Sequence, residues 1–95
     1  MPYQLRTTIA SRIETTEAEL IQLETQGWIS TVGKNGMVFM LGKHEYKARF
    51  ILHLRRQWSL SDADISRVLD VQRPPYSLKD VPVILGRKMA SKPLR

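Results

Sequence analysis

Cysteine does not occur in this chain. Its absence removes disulfides, thiolate metal ligands and thiol nucleophiles together. No apolar run approaches the roughly 18 residues that a membrane-crossing helix needs. The first residues offer no apolar core of the signal-peptide kind, so a soluble, cytoplasmic chain is expected. A Gly-rich phosphate loop is missing as well, and the carboxylates fall at helix caps and on helix faces. The two histidines, His44 and His53, are nine residues apart and so about 180° apart around a helix, too far to share a metal or a proton relay. No metal, no cofactor and no catalysis are expected. Acidic residues are scarce, with nine Asp and Glu against fifteen Lys and Arg.

The 95 residues suffice for one small domain with a modest core, drawn from a hydrophobic fraction of 42%. The formal charge of +6 and the pI near 10.1 point to an anionic partner, nucleic acid first. The charge is uneven. Residues 1–33 set two arginines against four glutamates, a net of −2, whereas residues 34–95 set thirteen basic against five acidic residues, a net of +8. Any basic surface therefore belongs to the second part.

The chain is organised around Gly36 to Leu69. Within it, His44 to Trp58 has helical spacing: Tyr46, Phe50, Leu54 and Trp58 recur every fourth residue, Ile51 joins that stripe, and Ala48 and Leu52 add apolar character on another side. Upstream, Arg6 to Ile13 predicts a short helix that turns Ile9, Ala10 and Ile13 inward, broken at Glu14 and Thr15. Thr16 and Glu19 then fit a capping box, opening a second helix that buries Leu20 and Leu23 and stops at Gly27. Two short helices joined by a tight break form a helix-turn-helix pattern. Trp28 to Val32 and Met37 to Leu41 are rich in strand formers, and Asn35-Gly36 between them suits a type I′ hairpin turn. Ser61 caps a last helix that buries Ile65, Val68 and Leu69.

This order carries a resemblance. Leu20 to Gly27 followed by Trp28-Ile29 resembles the join after the second helix in the MerR family of winged-helix regulators. Gly36 to Ile51, with Arg49-Phe50-Ile51, is similar to that family's wing-to-helix segment. Leu54-Arg55-Arg56-Gln57-Trp58-Ser59-Leu60 with Ile65 and Leu69 resembles its closing pattern, though Gln57 and Trp58 stand where the family usually has Gly. The match covers roughly Thr8 to Leu69. It implies a mainly α fold with a small β-hairpin, a winged helix-turn-helix ordered α-α-β-β-α-α over residues 1–70. Residues 71–95 follow as a Pro-containing, basic, extended tail in which Pro74-Pro75 favours a polyproline-like conformation. Val81, Val83, Ile84 and Leu85 are apolar enough to dock back on the domain.

The departures from the family fall where it touches DNA. Ile21 and Gln22 occupy the places of its usual Arg-Tyr pair, Met37 and Val38 occupy its wing contacts, and Thr16 to Gln26 holds three glutamates and no cation. The family's long C-terminal dimerisation helix has no counterpart, so the pattern leaves monomer and dimer both open. An acidic second helix of this kind also resembles the CbpM-type MerR-like chaperone modulators, which bind a J-domain protein.

Two functions follow. In the first, the chain is a DNA-binding regulator or accessory factor, nucleoid-associated within the cytoplasm. Arg49, His53 and Arg56 form a phosphate-contacting stripe, Lys34 sits at the wing tip, Lys43 and Lys47 lie on the same helix, Arg87 and Lys88 belong to a basic arm, and Gln22 reads an adenine edge. Bland uses fit the same residues: a solvated helix face with Glu45 pairing Arg49, and a soluble hairpin tip. In the second, the chain is an adaptor whose contact surface is Ala18, Ile21, Gln22 and Thr25.

Overall fold

A computed structural model describes residues 3–86, which group into two compact units divided in sequence between Arg49 and Phe50. Among the described residues there are five helices and one three-stranded antiparallel sheet, and no helix is long and apolar enough to cross a membrane.

The first unit begins with strand β1 (Tyr3–Leu5) and helices α1 (Arg6–Arg12) and α2 (Glu17–Thr25). The break between the helices has a definite form. Glu14 adopts a left-handed φ of 58°, its N–H donates to the Ser11 carbonyl, and the Thr15 N–H donates to the Ala10 carbonyl. This is a Schellman closure made by a non-glycine residue. Thr16 caps α2 by accepting from the Glu19 amide at 3.1 Å, and the Glu19 side chain accepts from the Thr15 hydroxyl. At its other end α2 closes in the same way as α1. Gly27 has φ +82°, its N–H donates to the Glu24 carbonyl, and the Trp28 N–H donates to the Leu23 carbonyl. Leu23 and Trp28, joined by that bond, are both buried.

Strands β2 (Val32–Lys34) and β3 (Met37–Leu41) form the hairpin. Lys34 pairs with Met37 across Asn35 (φ 55°) and Gly36 (φ 76°), the two positive dihedrals of a type I′ turn. The first hairpin strand is shorter than the sequence pattern suggests. Trp28 and Ile29 are both buried, and consecutive buried side chains do not suit a strand with one face on the core. They serve as the hydrophobic end of α2 instead. β1 adds a strand that three residues were too few to announce, pairing Leu5 with Phe39 and Tyr3 with Leu41, so that β3 is central in the order β1-β3-β2. Helix α3 (Gly42–Gln57) follows β3 directly.

The second unit comprises the C-terminal part of α3, helix α4 (Asp62–Val71) and helix α5 (Val81–Leu85). Ser61 caps α4, accepting from the Asp64 amide at 3.2 Å. Ile65 and Val68 are fully buried and Leu69 half-buried. Residues 72–86 correct the expectation of an extended tail. The chain bends at Pro74-Pro75, whose peptide bond is cis, and Gln72 braces the loop by donating to the Ser77 carbonyl at 2.8 Å and accepting from its amide at 2.6 Å. Tyr76 stacks on Phe50 with ring centroids 4.7 Å apart. Val81 and Leu85, one helical turn apart, are buried as expected for a docking segment, while Val83 is exposed. That i, i+4 pair, with Pro82 in the first turn and Gly86 closing the end, makes a short helix where the apolar run is too brief to show a period.

A Cβ added at Gly27 meets no atom within 4 Å, so Gly27→Ala costs only its strained dihedral, about 1 kcal/mol. Thr16→Ala, which removes a helix cap, costs a similar ~1 kcal/mol. Urea midpoints for the two variants check both figures.

Candidate nucleic-acid interface

The candidate interface is the outer side of α3. Its buried side chains, Ala48, Phe50, Ile51, Leu52 and Leu54, take up more than half the helix circumference. Tyr46, Arg49, His53 and Arg56 fall within an arc of about 80° on the remaining side, and all four are exposed. Tyr46, placed by its four-residue spacing on the apolar stripe, is therefore a surface residue at 43% exposure, and Trp58 is half-buried. The reason is that Phe50, Ile51 and Leu54 fill the buried side over the middle of the helix, and Tyr46 lies about 40° beyond Phe50.

The arc also lacks a carboxylate. The one acidic residue of α3, Glu45, has a side chain only 15% exposed. Arg12 holds it from α1 with a two-pronged contact, Nε to Oε2 at 2.8 Å and Nη2 to Oε1 at 2.9 Å, and Arg12 Nη2 also donates to the Gln4 side chain. Arg49 lies 3.6 Å from the same carboxylate, a looser approach that leaves its side chain 62% exposed. The expected Glu45–Arg49 pair thus exists but is secondary to Arg12. His53 meets Trp58 edge-on, with ring centroids 6.5 Å apart.

The other predicted contacts are spread out. Lys34 is exposed on β2 beside the turn. Lys43 is exposed in the first turn of α3 and Lys47 is half-buried one turn on, but neither falls within the arc of Arg49, His53 and Arg56. Arg87 and Lys88 lie outside the described residues. Several other arginines are engaged internally: Arg6 with Glu17 at 2.8 Å, Arg55 with Asp62 at 3.0 Å, Arg67 with the Ile84 carbonyl, and Arg73 with carbonyls that include Leu69 and Asp70 at the end of α4.

On α2, Ala18, Ile21, Gln22 and Thr25 share one exposed face, with Ile21 at 45% exposure. The flanking acids are occupied: Glu17 accepts from Arg6 and Glu24 from the Thr31 hydroxyl. This face carries no charge of either sign. Among the described residues, no group of three His, Asp or Glu could hold a metal ion.

Two titrating groups at the start of α3 respond to this packing. The hydrogen bond from Arg12 holds the Glu45 carboxyl below the ordinary value of 4.5. Burial, reinforced by Lys43 and Lys47, pushes the His44 imidazole below 6.5, and its buried Nδ1 has no hydrogen-bond partner. Both shifts favour the fold at higher pH. Stability falls first as pH drops below 6.5, where unfolded His44 takes up a proton that the folded ring resists. It falls again below 4.5, as the Glu45 contribution, complete above that value, is lost through the lowered folded pKa. Urea midpoints followed from about pH 7 to about pH 3 therefore decline in two stages. His44→Gln flattens the upper stage and Arg12→Gln the lower.

No family model, no curated protein and no solved structure matches this chain.

Proposed function

We propose that this chain is a DNA-binding regulator or accessory factor built on a winged helix-turn-helix that resembles the MerR family, with α1 and α2 as the helix-turn-helix and β2–β3 as the wing. The observation that carries the reading is the outer arc of α3, where Arg49, His53 and Arg56 are exposed together and the helix's one carboxylate is withdrawn onto Arg12. A ridge of about 10 Å that carries two exposed arginines, with the carboxylate of Glu45 held chiefly by Arg12, suits a phosphate backbone. Lys34 on the wing is a further phosphate contact. Base readout is slight, because α2 offers Gln22 and no cation, so the partner is duplex DNA bound mainly through its backbone.

A second reading draws on one observation of its own. The uncharged face of α2 with Ile21 at its centre suits a protein partner, as in an adaptor resembling the CbpM-type modulators.

Fluorescence anisotropy with random-sequence duplex DNA across a salt series separates the two. Under the DNA reading, log affinity falls steeply with log salt, and Arg49→Gln and Arg56→Gln each reduce the slope by about 1 while weakening all sequences alike. Ile21→Asp leaves that binding intact. Absence of binding at low salt, or a slope unchanged by both arginine variants, overturns it. Capture of a protein partner that Ile21→Asp abolishes then establishes the adaptor.

A further inference from the structure

The outer face of the sheet is the most unusual surface of the first unit. Strand alternation places Met37, Phe39 and Leu41 of β3 on the side opposite the fully buried Met40. Register brings Tyr3 and Leu5 of β1, and Val32 and Lys34 of β2, to that same side. Tyr3, Val32 and Met37 are exposed, and Phe39 and Leu5 half-buried. Tyr3, Val32, Lys34 and Phe39 line an open concavity of about 370 Å³, and among the described residues its lining has two aromatic rings, one cation and no carboxylate.

From this geometry we infer that the outer sheet face is a stacking platform for an unpaired base of single-stranded nucleic acid, with Tyr3 and Phe39 taking the ring and Lys34 the adjoining phosphate. Size decides between occupants. Three strands spaced about 4.8 Å apart, five residues long at the centre and three at each edge, present at most roughly 200 Å², well below the ~800 Å² per partner of a stable protein interface. One or two bases cover such an area. Charge agrees, since a lone lysine at the rim of an aromatic surface complements a base that carries a phosphate. Stacking needs only a π-face, so little sequence preference is expected. The inference shares with the proposed function the premise that the partner is nucleic acid, but it uses none of the α3 residues.

The test uses the full-length chain and short single-stranded oligodeoxynucleotides carrying 2-aminopurine, whose fluorescence is quenched on stacking, with duplex anisotropy measured in parallel. Wild-type protein should quench the probe. Tyr3→Ala and Phe39→Leu should weaken single-strand binding roughly 5- to 150-fold, the range expected for loss of one stacked base. Lys34→Gln should lower its salt slope by about one phosphate. Duplex binding should be unaffected by Tyr3→Ala and Phe39→Leu, and circular dichroism should confirm that the variants fold. Single-strand affinity unchanged by both aromatic variants overturns the platform, as does failure to bind the single strand at all. If the duplex still binds in a salt-dependent way, either failure leaves the α3 reading standing. A concentration-dependent dimer that Tyr3→Ala dissolves, without quenching, also overturns it and makes the face a self-association surface.

Discussion

The bidentate contact between Arg12 and Glu45 is the interaction on which the candidate interface depends. It joins the last turn of α1 to the first turn of α3, and through Gln4 it reaches β1 as well. Exposed ion pairs contribute little on average, but this one has fork geometry around a carboxylate that is mostly buried. Its larger consequence is electrostatic. It removes the negative charge of Glu45 from the surface of α3 and leaves Arg49 only a secondary share of it.

Charge is rearranged in the same manner elsewhere. Arg6, Arg55, Arg67 and Arg73 each find partners within the fold, on carboxylates or on carbonyl groups. On α3 the exposed Arg49 and Arg56 share one narrow arc, while Lys43 is exposed outside it. Anion binding depends on such local clustering more than on total charge, because screening over about 8 Å at physiological salt isolates distant charges from one another.

The strand β3 orders the first unit in a complementary way. It bonds to β1 on one side and β2 on the other, and its two-residue alternation sends Met40 inward and Phe39 outward. All five of its residues are apolar, so composition alone could not say which side faces the core. The outward set becomes an apolar, aromatic surface instead of the polar one usual for a sheet with one solvated face.

Much of the local architecture was legible in the residues themselves. The Thr16 and Ser61 caps, the Gly27 stop, the Asn35-Gly36 turn and the extent of β3 are each governed by short-range chemistry, namely a hydroxyl facing an orphan amide or a dihedral that glycine and asparagine tolerate. What tertiary structure decided depends on contacts distant in sequence. Three residues at Tyr3 become a strand only because Phe39 and Leu41 are there to pair, and Tyr46 faces outward because residues four and five positions along already fill the buried side. Val81 and Leu85 form a helix through burial and not through propensity. The choice of Arg12 over Arg49 as the partner of Glu45 spans 33 residues, and no periodicity within α3 encodes it. Local rules placed the elements; packing between them determined which charges and which rings were left on the surface.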